Sequence, residues 1–215
     1  MPPPMEGATL LYYPGFDLIP GENPLRDGAN WGEYSTRPPL RASDDGLAVH
    51  GTVEFPVNGS LYLGAIFQGE IIEAWGCAPG PGLGAAVESQ RIVALTDPAN
   101  YEGYLSGYGG GIGEVYFMRR YDAAGPGSFT TLGEVGGTGP ELLGIRITPT
   151  DVEQWAYYSG GWNLVQTFPD TNHRGPMWIA LETEEQGGIE EVGWTCFAAG
   201  VPNRTQIYRV VRGLA

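Results

Sequence analysis

Residues 141–168 read ELLGIRITPTDVEQWAYYSGGWNLVQTF, and this stretch decides the fold. In ELLGIRIT, Leu143, Ile145 and Ile147 fall on one face of an extended chain, and Gly144, Arg146 and Thr148 on the other. That is the period of a strand with one face turned to a core. DVEQWAYY and WNLVQTF then flank Ser159, Gly160 and Gly161 as two strands joined by a tight turn. Nowhere in the chain does an apolar period of 3.6 residues persist without a Gly or Pro.

Working outward, LAVHGTVEF, SLYLGAIF, GEIIEAW, AAVESQRIVAL, YEGYLSGY and EVYFMRRYD read as strands on the N-terminal side. MWIALE, IEEVGWTCF and QIYRVVR do so on the C-terminal side. In EVYFMRRYD, Val115, Phe117, Arg119 and Tyr121 oppose Glu114, Tyr116, Met118 and Arg120. The 35 Gly and 18 Pro lie between such runs, so they punctuate strands and do not mark low complexity. Short strands at a spacing of roughly a dozen residues signal an all-β sandwich or barrel. At 215 residues and 42% hydrophobic the chain is large enough to bury a core between two sheets. No linker divides it.

The formal net charge is −14, and all 11 basic residues are Arg. An acidic surface repels phosphate, which excludes nucleic acid and anionic membrane as partners. MPPPMEGATLL has neither the basic nor the apolar region of a signal peptide, and no run is long enough to cross a bilayer. The expectation is a soluble protein made in the cytosol. Cys77 and Cys196 are too far apart for a metal knuckle, and a cytosolic chain keeps its thiols reduced, so both are expected free.

The order of features from Tyr101 to Gly200 resembles the second half of laminin-G-like jelly rolls, in the concanavalin A-like lectin and glucanase superfamily. EGYLSGY, VYFMRRYD, LLGIRIT, WAYYSGGWNLV, PDTNHRGPMWIALE and GGIEEVGWTCFAAG carry that likeness. The N-terminal GENPLRDGANWGEY, with Asn23, Pro24, Leu25, Asp27, Gly28, Asn30 and Trp31, resembles the opening of such proteins encoded by tailed bacteriophages. The resemblance implies an all-β, antiparallel jelly-roll β-sandwich over residues 47–215. Residues 1–46 form an irregular arm and first strand of the same domain.

The superfamily spans lectins, glucanases and structural virion domains, so site residues must choose among them. Jelly-roll glucanases carry Glu-x-Asp-x-Glu on one strand. Here Glu182, Glu184 and Gln186 occupy that pattern, and the amide of Gln186 cannot donate the catalytic proton. Catalytic residues are therefore expected to be none. Asp44, Asp45, Asp97, Asp170, Glu190 and Glu191 are scattered carboxylates without the fixed spacing of a calcium loop; calcium is the one cofactor the resemblance allows. His50 and His173 have no ligand or nucleophile partner at metal or triad spacing. YGGGIGE, 108–114, lacks the Lys and helix of a phosphate loop and reads as a turn. Tyr104, Tyr108, Tyr157, Tyr158 and Trp162 lie beside Gly-rich turns, where rings project to stack on sugars or pack at interfaces.

The function expected is a non-enzymatic structural or adhesion protein of a tailed-phage particle, capsid decoration or minor tail protein. Carbohydrate binding is the alternative and a glycan hydrolase the third reading. Its expected partners are other virion proteins, further copies of itself and a host surface glycan. The Pro-rich residues 1–9 suit an extended anchor arm. TQIYRVVR, with Ile207, Arg209 and Val211 alternating against Gln206, Tyr208 and Val210, suits a docking strand.

Overall fold

The computed structural model describes residues 31–34, 37–42, 49–50, 57–62, 66–77, 89–109, 114–122, 127–184, 193–194 and 196–201. Its strands are β1 (Trp31–Gly32), β2 (Arg41–Ala42), β3 (Val49–His50), β4 (Val57–Tyr62) and β5 (Ile72–Cys77). They continue with β6 (Ser89–Asp97), β7 (Glu102–Gly109), β8 (Val115–Tyr121), β9 (Thr130–Gly136) and β10 (Leu142–Ile147). The last are β11 (Asp151–Tyr158), β12 (Gly161–Pro169), β13 (Trp178–Glu184), β14 (Gly193–Trp194) and β15 (Cys196–Gly200). All pairings are antiparallel. A seven-stranded sheet runs β1-β4-β13-β6-β7-β8-β9, a five-stranded sheet β12-β11-β10-β5-β15, and a small sheet β14-β3-β2. No helix among the described residues is long and apolar enough to cross a membrane.

The two large sheets form a sandwich, and the period-two reading of ELLGIRIT holds. Leu143, Ile145 and Ile147 point into one core with Ile92, Ala94, Tyr104, Met118, Ile179 and Leu181 from the facing sheet. Trp31 closes one side of that core edge-on to Tyr62 and Phe197, with ring centroids 5.4 Å away in each case. A polar bridge crosses the core: the buried Gln154 Nε2 of β11 donates to Gly107 O at 2.8 Å and Ser106 Oγ at 3.0 Å on β7. Its own Oε1 accepts from Gln166. Every buried polar atom in that bridge finds a partner, which fixes the sliding of one sheet on the other.

The β11–β12 hairpin turns at Ser159 and Gly160, both with positive φ (54° and 79°), as a two-residue loop twisted like its strands requires. β9 lies outside the strands expected from sequence. TTLGEVG is an edge strand with mostly exposed residues, so no apolar alternation announces it.

The cysteines correct an expectation. Cys77 is disulfide-bonded, and no cysteine among the described residues is free. Its strand position faces Cys196, the chain's other cysteine, directly across β5 and β15. Directly opposed antiparallel positions bring Cα atoms to about 4.5–5.5 Å, inside the range a disulfide spans. Sequence separation hid this register.

Candidate functional site

Alternation along β13 sends Ile179 and Leu181 into the main core, and Trp178, Ala180, Glu182 and Glu184 to the outer face of the seven-stranded sheet. That outer face is itself buried. Leu61, Val93, Leu95, Leu105 and Ala180 form a second apolar layer there with Tyr34, Tyr101, Phe117 and Tyr121. Glu182, at 0% exposure, stands in its middle.

A carboxylate so buried must be compensated. Tyr34 and Tyr101 each donate a hydroxyl proton to Glu182 Oε1 at 2.5 Å, and Arg37 Nε donates to the same oxygen at 3.2 Å. Arg91, the register partner of Glu182 on β6, brings Nη1 to 3.8 Å from Oε2 and pairs through Nη2 with Glu184. Ser89 Oγ also donates to Glu184, at 3.2 Å. On the other flank Gly59 pairs with Glu182, and a Cβ at Gly59 would stand 2.9 Å from the Tyr34 hydroxyl and 3.0 Å from Glu182 Cγ. The site therefore needs glycine there.

Tyr101 has φ of 58°, a conformation that bulky residues rarely adopt. Asp97 sets the turn before it, accepting from the Ala99 and Asn100 amides at 2.9 and 3.2 Å. The ring is then held from three sides. It stacks on Tyr34 at 5.9 Å, meets Tyr121 edge-on at 4.6 Å and lies under the Arg37 guanidinium at 5.2 Å. Burial, followed by the Glu182 charge, raises the pKa of both Tyr34 and Tyr101 well above 10.0. The hydroxyls are fixed as neutral donors. Burial pulls Arg91 below its ordinary value, partly offset by Glu182.

A second polar network closes one end of the sandwich, where the chain passes from β12 to β13. Asp170 accepts from Tyr104 Oη and from Arg120 Nη1, both at 2.6 Å. Arg120 Nε also reaches Asp122 Oδ2 at 2.9 Å. His173 lies between Asp122 (Nε2 to Oδ1, 3.0 Å) and Thr96 (Nδ1 to Oγ1, 3.2 Å). This is a satisfied, largely buried histidine joining two loops.

The outer face of the five-stranded sheet carries a third cluster. Arg146 on β10 faces Glu73 on β5 and Glu153 on β11, with Nε to Glu73 Oε1 at 2.9 Å and Nη1 to Glu153 Oε2 at 3.9 Å. Beside it Trp75, Tyr157 and Trp162 pack together, Trp162 edge-on to both at 6.3 and 5.7 Å.

The structure thus divides the five aromatic candidates. Tyr104 and Tyr108 lie in the main core, at 0% and 2% exposure. Tyr158 packs on that core's margin, while Tyr157 and Trp162 pair across the β11–β12 hairpin on the outer face. Glu182 and Glu184 share a face as their spacing requires. Gln186, Asp44, Asp45, Glu190, Glu191, residues 1–9 and 205–212 lie outside the described residues. Asp97 and Asp170 are far apart in role, and no group of three or more His, Cys, Asp or Glu among the described residues could hold a metal. Sequence reasoning missed Tyr34, Arg37, Arg91 and Tyr101. One signal was available: Arg91 runs directly into IVAL, which is apolar on both faces, the pattern of a strand buried on two sides.

No protein-family model matches the chain, and no curated protein matches it by sequence. Its fold is similar to the legume lectin-like domain from Entamoeba histolytica, at 10% identity over 86% of this chain and 98% of that one, TM-score 0.59. It is also similar to the exoplasmic/lumenal domain of VIP36 in its Ca2+/Man3GlcNAc-bound form, at 10% identity over 91% and 97%, TM-score 0.59. A third is the CBM2 module of the evolved Dit of Lactobacillus casei BL23 phage J-1, at 10% identity over 84% and 86%, TM-score 0.54. With the two antiparallel sheets, these likenesses show an all-β jelly-roll sandwich fold.

Proposed function

We propose that this chain is a non-catalytic structural or adhesion domain of a tailed-bacteriophage particle, as capsid decoration or minor tail protein. The state of Glu182 carries the non-catalytic part. A catalytic carboxylate, whether nucleophile or acid, must come within reach of the sugar it attacks or protonates. Glu182 is fully buried, and its Oε1 is already taken by two tyrosines and an arginine. The particle is supported by the N-terminal resemblance and by the likeness in fold to the phage J-1 module over most of both chains. The disulfide at Cys77 suits work outside a reducing cytosol. Its partners on this reading are other virion proteins and copies of itself, with no nucleic acid and no membrane insertion. Mass spectrometry of purified particles should find the chain, and consistent absence would remove the reading. Reducing-sugar release from β-glucans, abolished by Glu182→Gln, would overturn the non-catalytic part.

A second reading, glycan binding on the same particle, is favoured by the Tyr157–Trp162 pair. These partly exposed rings sit at a rigid hairpin end, and flat ring faces stack on sugars. Trp162→Ala should weaken glycan binding by roughly tenfold, about 1.4 kcal/mol. A glycan array that stays blank with and without calcium would remove this reading.

A further inference from the structure

Among the described residues, one guanidinium on the outer face of the seven-stranded sheet has no carboxylate paired with it. Arg37 and Arg91 pair with Glu182 and Glu184, Arg120 with Asp122 and Asp170, and Arg146 with Glu73 and Glu153. Arg174 donates to the Tyr104 hydroxyl and to the carbonyls of His173 and Asp170. Arg119 forms no ion pair among the described residues, not even with Glu134, which is exposed on β9 nearby. Its guanidinium carbon lies 4.7 Å from the centroid of Phe117 and 4.1 Å from that of Phe129. Its Nε is buried without a hydrogen-bond acceptor. Among the described residues this cluster brings three arginines to two ion-paired carboxylates, in a chain of net −14.

Local sequence builds this arrangement. Alternation along β8 puts Phe117, Arg119 and Tyr121 on the outer face. Gly107 on β7 lies opposite Phe117, and a Cβ there would run into the ring. Between Met118 and Arg119 the β8–β9 register shifts: Met118 pairs with Gly133 but Arg119 with Thr131, so Leu132 is skipped. Bulges re-aim side chains, and this one leaves Phe129 over Arg119 and against Tyr121, at 5.7 Å. Phe129 is 42% exposed, so the assembly opens to solvent on that side.

We infer that Arg119, held between Phe117 and Phe129, is a subsite for the carboxylate of an acidic sugar, whose apolar face rests on the exposed Phe129 ring. A guanidinium offers a planar pair of donors that matches a carboxylate, and stacking rings hold it in one orientation before the ligand arrives. A single guanidinium suits a monoanion better than a doubly charged phosphate. The ligand class rests on the glycan-binding reading, but the site lies on the opposite outer face from Tyr157 and Trp162, so the two separate by mutation.

The test is calorimetric titration of the intact chain with a glucuronate-containing disaccharide and with its neutral glucose counterpart. The acidic sugar should bind about tenfold more tightly, with the advantage shrinking as salt rises. Arg119→Gln should abolish the preference, and Arg119→Lys, which keeps the charge but not the fork, should not restore it. Phe129→Ala opens no core and should weaken the acidic sugar severalfold, and Trp162→Ala should leave the preference intact. Equal affinity for the two sugars overturns the inference while sparing glycan binding. So does a preference that survives Arg119→Gln or vanishes with Trp162→Ala. Binding of neither sugar overturns both.

Discussion

On the outer face of the five-stranded sheet, Arg146 stands between Glu73 and Glu153, directly opposite both across adjoining strands. On the outer face of the seven-stranded sheet, Glu182 is met by Tyr34, Arg37, Arg91 and Tyr101, and only Arg91 is its neighbour in register. Strand pairing alone assembles the first cluster. The second needs loops brought from far along the chain, a glycine at 59 and a tyrosine held at positive φ. Among the described residues the first cluster has two carboxylates to one arginine, while the second, with Arg119, has the reverse excess. A register-built ladder makes a sheet rigid. A loop-built cluster holds side chains in positions the strands do not supply, which is what a recognition surface needs.

The largest expected effect tests that division. Arg146→Met leaves Glu73 and Glu153 buried, each at 1% exposure, without their shared cation, and should cost about 3–5 kcal/mol in denaturant melts. Arg37→Met should cost only about 1 kcal/mol, because Arg37 is partly exposed and Glu182 keeps Arg91 and two tyrosine donors. Equal losses would mean that the two clusters do not differ in how they support the fold.

An alkaline titration should separate the faces next. Tyr34 and Tyr101 hold their protons in the fold well above 10.0, first because of burial and second because of Glu182. Their contribution to stability is complete below pH 10, where the unfolded tyrosines would also be neutral, and is lost as pH rises beyond it. Phenolate absorbance should therefore appear for these rings together with unfolding. Tyr34→Phe should lower stability at neutral pH by roughly 1–2 kcal/mol and flatten the alkaline loss. Free titration of all tyrosines near pH 10 with the fold intact would show the Glu182 cluster to be open to water.

Most of the sandwich was legible because its strands alternate. Leu143, Ile145 and Ile147 named their own inner face. The spacing of Glu182 and Glu184 gave them a shared face, but a strand end read as solvated holds Glu182 at 0% exposure. Three features were hidden for distinct reasons. β9 is exposed on an edge, so burial left no mark on TTLGEVG. The pairing of position 77 with 196 depends on which strands adjoin in the five-stranded sheet, which local pattern does not encode. Tyr34, Arg37 and Tyr101 converge on Glu182 from loops, and a loop residue's partner is set by tertiary packing. Arg91, an arginine inside a strand that continues apolar on both faces, carried a readable signal.

The smallest effect concerns the end network and guards the comparison against a false acid signature. Carboxylates on both outer faces are buried, so acid unfolding alone does not say which group is responsible. At Asp170 burial works against the charged form, but the Tyr104 hydroxyl, the Asn172 amide and Arg120 together bring its pKa below 3.8. Asp122, beside Arg120 and His173, is lowered likewise. A carboxylate depressed in the fold contributes fully above its unfolded value and loses that contribution as pH falls through its folded value. The Asp170 share should thus be constant from neutral pH down to about pH 5 and vanish only below 3.8. Asp170→Asn keeps an acceptor for Tyr104 but loses the charge facing Arg120, and should cost about 1 kcal/mol at neutral pH. Its stability curve should meet that of the wild type at the acid end. Curves that stay parallel to pH 2 would show that Asp170 acts through shape and not charge, and the acid limb would then belong to the carboxylates of the two outer faces.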